Sequence, residues 1–147
     1  MRRIISSLAL VAVFFLVSQR AYCCVCEPEV DPRQALQEAT AVFVGRVMFK
    51  EVIFRKVGEN DQKMSFVPEA QVKFEVEKSW KGGENRELIV RTSAGDCGYQ
   101  FTVGERYLVY AYNQDILTTS GCTRTKSLAQ ATADLKELGR PRKKRKP

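Results

Sequence analysis

The side chains with reactive potential in this sequence are five cysteines, Cys23, Cys24, Cys26, Cys97 and Cys122. Histidine is absent, so the commonest general base is missing. The Ser and Thr hydroxyls have no recognisable nucleophile context. The carboxylates fall mostly on alternating, solvent-facing positions. Glu75 and Glu77, two apart, are what the outer face of a strand looks like. The sequence therefore predicts a protein that is not an enzyme. Cys24-Val25-Cys26 has the spacing of a metal-binding pair, but with no histidine, and with Cys97 and Cys122 dispersed, it is a poor zinc site. No cofactor is expected.

Those cysteines gain meaning from what precedes them. Arg2 and Arg3 are followed by an apolar stretch, Ile4 to Val17, broken only by Ser6 and Ser7. This is the pattern of a secretory signal peptide over residues 1–23; the competing reading is an uncleaved membrane anchor. Ala21 and Cys23 supply the small residues that a cut before Cys24 requires, and cuts after Ala21 or Tyr22 match the rule less well. A lipid-bearing Cys23 would call for Leu where Arg20 stands. The expected location is extracellular, or periplasmic in a Gram-negative bacterium. Losing Cys23 leaves four cysteines, an even number suited to an oxidising compartment. A Cys24–Cys26 bridge would strain its loop, so each reaches a distant partner: Cys24–Cys97 with Cys26–Cys122, or the crossed alternative. Bridges closing such loops contribute about 4–5 kcal/mol each in the chain-entropy description.

Processing before Cys24 would also create a functional group. The α-amine of a first residue has a reference pKa near 8. Beside its own carbonyl, and fixed by a disulfide, it is a bidentate ligand for a borderline cation. It could enter the open coordination position of a catalytic zinc in another protein and displace the reactive water.

The rest of the chain must hold that terminus in place. The mature part suits one domain, residues 24–139, followed by a basic tail, residues 140–147. Asp31 and Pro32 read as the N-cap and first position of a short helix to Ala39. Ala41 to Phe49 reads as a strand, continued past a bend by Glu51 to Phe54. Gly58 to Lys63 reads as a loop. Ala70 to Trp80 alternates, with Val72, Phe74 and Val76 on a buried face. Lys81-Gly82-Gly83 is a turn. Strands are expected at Glu87 to Thr92, Arg106 to Tyr112 and Ile116 to Thr119. Leu128, Ala131, Leu135 and Leu138 mark one face of a final helix stopped by Gly139 and Pro141. The fold class predicted is mostly β: a closed or nearly closed barrel with a helix at each end. Trp80 reads as a packed rim residue rather than a ligand-stacking one, and Tyr107, Tyr110 and Tyr112 as sheet packing.

The formal net charge of +7 is misleading. Of the 24 basic residues, three lie in the leader, leaving 21 against 17 acidic ones. Six more belong to the tail (Arg140, Arg142, Lys143, Lys144, Arg145 and Lys146), so the body carries 15 against 17, a net −2. An exported, slightly acidic body is not a nucleic-acid surface. The tail reads as a disordered end, with retention on an anionic surface or glycan as the alternative.

An ordered set of short pieces resembles the tissue inhibitors of metalloproteinases. It comprises Cys24-Val25-Cys26, Asp31-Pro32-Arg33-Gln34-Ala35, Trp80-Lys81-Gly82, Cys97-Gly98-Tyr99, Tyr107-Leu108-Val109-Tyr110-Ala111, and Thr118-Thr119 to Cys122. The resemblance spans nearly all of the mature chain up to the tail. It implies an OB-like (netrin-like) closed five-stranded barrel, and the pairing Cys24–Cys97 with Cys26–Cys122. The function it implies is inhibition of zinc metalloendopeptidases, and the chain is expected to act as a monomer. Cys24 would chelate the protease zinc and Val25 would enter the primed-side pocket. Cys26, Glu27 and Pro28 would lie along the cleft, with Asp96 and Cys97 as the neighbouring ridge. The chain departs from the animal inhibitors in lacking a third disulfide, whose first cysteine would fall near Gln37, and in lacking their second domain. Glu27 adds a charge where the family is usually uncharged. The alternative is a netrin-like secreted binding module without protease inhibition.

Overall fold

A computed structural model describes residues 24–58, 65–82 and 85–142. The expected leader over residues 1–23, most of the loop after Gly58 and the end of the tail from Lys143 lie outside the described residues.

The first helix, α1 (Pro32–Glu38), begins as its sequence requires. The Asp31 carboxylate accepts hydrogen bonds from the Arg33 and Gln34 N–H groups at 2.9 and 3.0 Å, and Pro32 occupies the first turn, where no N–H is needed. Two long strands follow, β1 (Ala41–Val57) and β2 (Ser65–Lys81), then β3 (Glu87–Ser93), β4 (Arg106–Ala111) and the two-residue β5 (Lys126–Ser127). They form one antiparallel sheet in the order β3-β2-β1-β4-β5. A 3₁₀ turn, Leu128–Gln130, leads into α2 (Thr132–Leu138), which ends at Gly139 with a positive φ of 66°.

Both faces of the sheet are covered near the start of β1, which explains the unbroken apolar run Ala41–Val44. On one face Phe43, Val47, Val72, Phe74, Val76, Val90, Phe101, Tyr107 and Val109 form a closed core. Phe74 lies edge-on between Phe43 and Phe101, with ring centroids 5.5 and 5.1 Å away. On the other face Val42, Val44, Trp80, Leu108 and Tyr110 pack against Ala35 of α1, Leu138 of α2 and Ala131, which joins the 3₁₀ turn to α2. The alternation predicted for β2 holds: Val72, Phe74 and Val76 are buried.

Several expectations need correction. The sheet is not closed into a barrel. Its edge strands, β3 and β5, do not pair, and β5 is only two residues long. The gap between β3 and the end of β4 is spanned instead by two isolated bridges, Arg91 with Thr118 and Tyr112 with Thr118. The strand expected at Ile116 to Thr119 is reduced to these contacts. The bend expected after Phe49 is absorbed as a register shift between Val47 and Phe49, with Met48 left over as an extra residue, so β1 runs on as one strand. The tail is not free from its first residue, because the Arg142 N–H donates to the Ser79 carbonyl at 2.7 Å.

Candidate functional site

The expected site residues meet at one end of the sheet. Disulfides join Cys24 to Cys97 and Cys26 to Cys122, with Cα separations of 5.6 and 5.2 Å. The loop carrying Cys97 leaves β3. The loop carrying Cys122 precedes β5. The Gly121 N–H donates to the Cys97 carbonyl at 2.9 Å, so the two loops are also joined to each other. Cys24-Val25-Cys26, the two bridges and this hydrogen bond thus form a closed frame. Val25 sits at its midpoint with 91% of its surface exposed. Tied on both sides, it keeps little backbone freedom, and its β-branched side chain has little rotamer freedom to lose.

The loops are anchored to the sheet. The Gly98 N–H donates to the Gly95 carbonyl, and the Tyr99 N–H to the Thr92 hydroxyl, both at 2.9 Å. A Cβ at Gly98 would overlap the Ser93 carbonyl oxygen, so the chain passes there only as glycine. On the other side Thr119, Thr123 and Thr125 share their hydroxyls at 2.8 Å and bond both the N–H and the carbonyl of Tyr110. Asp96 and Cys97 are exposed beside the frame, as are Cys26, Glu27 and Pro28 on the segment that leaves it.

That segment has a second anchor that sequence reading missed. Arg124 donates from Nε and Nη2 to the two oxygens of Asp134, both at 2.9 Å. Its Nη1 reaches the Glu29 carboxylate at 3.0 Å and the Val30 carbonyl at 2.6 Å. Asp134, on α2, is buried and also receives Lys126 Nζ at 3.2 Å and the Tyr110 hydroxyl at 3.3 Å. Burial would raise the Asp134 pKa, but the hydrogen bonds from Arg124 and Lys126 outweigh it, and the carboxyl titrates below its ordinary range. The same hydrogen bond to Asp134 raises Arg124. Burial, then the nearby Asp134 charge, pushes Tyr110 far upward. Residues 26–30 are therefore held at one end by a disulfide and at the other by a guanidinium fork. The sequence carried a usable signal: Asp134 occupies the apolar stripe defined by Ala131, Leu135 and Leu138.

A surface groove of about 380 Å³ runs beside this segment, walled by residues 25–30 on one side and by Glu38, Tyr112, Thr123 and Arg124 on the other. Trp80 has no access to a ligand; it is buried, and its indole N–H donates to the Gly139 carbonyl at 3.0 Å. Tyr107 and Tyr110 are buried, one on each face of the sheet.

No protein-family model and no curated protein matches this chain. With the sulfurs of Cys24, Cys26, Cys97 and Cys122 all in disulfides, Cys24-Val25-Cys26 offers no thiolate to a metal. Among the described residues no group of three or more Cys, Asp or Glu side chains could hold one either. What the frame can offer a cation is backbone: a carbonyl and, after processing, an amine. Two disulfides suit an oxidising compartment, and no helix among the described residues is long and apolar enough to cross a membrane.

Proposed function

We propose that the chain, processed to begin at Cys24, is an inhibitor of zinc metalloendopeptidases built on an open, OB-like (netrin-like) sheet. The Cys24 α-amine and carbonyl oxygen would take two positions on the target's zinc. The reactive water would leave, and the hydrolytic step would have no nucleophile. Val25 would fill the adjoining apolar pocket. Residues 26–28 would run along the cleft, and Asp96 with Cys97 would contact its other wall.

The observation that carries this reading is the closed frame around Val25. It holds an exposed apolar side chain at a fixed separation from the Cys24 backbone, which processing would make terminal, so little ordering entropy would be lost on docking. Two features keep the segment from being cut or displaced. Cys24 is covalently tied to Cys97. Arg124 holds the chain at Glu29 and Val30, five and six residues downstream of Cys24.

N-terminal sequencing of the secreted protein, with inhibition assays against several zinc endopeptidases, tests the proposal. A mature chain starting at Cys24 that inhibits at or below micromolar concentration supports it. The same chain binding none of them would leave a folded binding module instead.

A further inference from the structure

The long hairpin carries a second surface, independent of the frame at the N-terminus. β4 covers β1 only from Ala41 to Arg46, and the last backbone contacts on that side are Val47 with Glu105 and Gly104. Among the described residues no backbone group pairs with the outer edge of β1 beyond Val47, although β2 pairs with its inner edge as far as Val57. An open edge of this length is a template for another strand. It is also apolar: Phe49, Val52, Phe54 and, next to them on β2, Phe66 are each more than half exposed.

We propose that this edge pairs with the same edge of a second copy, antiparallel about a two-fold axis at Ile53. The register follows from the sequence. In antiparallel pairing, residues facing the partner must oppose residues that also face it, so only registers shifted by two are available. With Ile53 on the axis, Val52 opposes Phe54, Phe49 opposes Val57, and Glu51 opposes Arg55, each twice by symmetry. Centring on Val52 sets Glu51 against Ile53 and Phe49 against Arg55. Centring on Phe54 sets Val52 against Lys56 and Ile53 against Arg55. Of these three registers, only the one centred on Ile53 sets Glu51 against Arg55 and the apolar residues against one another. Its like-charge pair, Lys50 with Lys56, also occurs twice, and each Lys50 amine is drawn inward to the Phe101 carbonyl at 3.0 Å. Charged residues on an edge usually discourage pairing. Here Arg55 is held by Glu69 at 2.6 Å, and its remaining N–H groups can meet Glu51 of the second copy. The result is an isologous dimer with a continuous sheet through two β1 strands, its Val52, Phe54 and Phe66 side chains forming one apolar strip.

Sedimentation of the secreted protein over about 1–200 µM, a range that brackets micromolar self-association, should show a concentration-dependent dimer. Glu51→Lys and Arg55→Glu should each weaken it at least about tenfold, since two attractive pairs become repulsive. An equimolar mixture of the two variants should recover a heterodimer. The lysine introduced in one chain then meets the glutamate introduced in the other, and the native Arg55 of the first meets the native Glu51 of the second. Amide exchange of residues 49–57 in the unmodified protein should slow as concentration rises, a readout that needs no variant to fold. A protein that stays monomeric throughout, a dimer indifferent to both charge reversals, or a mixture that associates no better than either variant alone would overturn the proposal.

Discussion

Replacing Arg124 by Met isolates the anchor behind the N-terminal segment. The substitution keeps much of the aliphatic stem and removes five donors. In the native protein the side chains of Arg124 and Asp134 are only 13% and 3% exposed, and the pair is bidentate. Breaking such a buried pair from one side costs about 3–5 kcal/mol, because the surviving charge stays buried. Lys126 and the Tyr110 hydroxyl remain within 3.3 Å of Asp134 and offset part of that. The expected loss is therefore about 3 kcal/mol, at the low end of that range. Denaturant unfolding with the disulfides intact measures it. Asp134→Leu combined with Arg124→Met should recover most of the loss, since no buried charge is then stranded on α2. Titration supplies a further check. The folded pKa of Asp134 is depressed, so as pH falls the unfolded chain takes up the proton first. The pair's contribution is full above the ordinary aspartate value and is lost as pH drops through the lower folded one. Asp134→Asn should flatten stability against pH in that acid window. A loss below about 1 kcal/mol for Arg124→Met, the size of one ordinary hydrogen bond, would refute the view that this pair anchors the segment.

Two other substitutions probe the scaffold beneath the frame. Gly98→Ala places a methyl against the Ser93 carbonyl oxygen; refolding should yield less of the Cys24–Cys97 bridge by peptide mapping, with a lower unfolding midpoint. Phe74→Ala empties the centre of the edge-to-face cluster, and unfolding should be easier by about 3–5 kcal/mol.

Much of the architecture was legible where local rules and tertiary needs agree. Asp31-Pro32 caps a helix by the chemistry of a carboxylate and a residue without N–H, and no distant contact changes that. Val72, Phe74 and Val76 alternate because β2 has one face on the core. The features that escaped depend on partners far away in sequence. β5 is two residues whose strand character comes from pairing with Tyr107 and Leu108, and two residues carry no periodicity. Closure of a barrel was expected from the number of strands, but it depends on edge lengths, and Leu117–Thr119 supplies bridges rather than a strand. At the site, the resemblance named the cysteine partners. Arg124 lies 94 residues from Val30, and only folding puts the guanidinium on that carbonyl.

The central claim concerns an amine, and one comparison tests it most directly. Inhibition constants against a susceptible zinc endopeptidase should be measured for two forms, one starting at Cys24 and one with a single Ala ahead of it. The added residue turns the amine into an amide and lengthens the chain at the metal, while leaving both disulfides in place. The account predicts a loss of at least about 100-fold, or ~2.7 kcal/mol, with unchanged thermal unfolding. Equal potency of the two forms would contradict it.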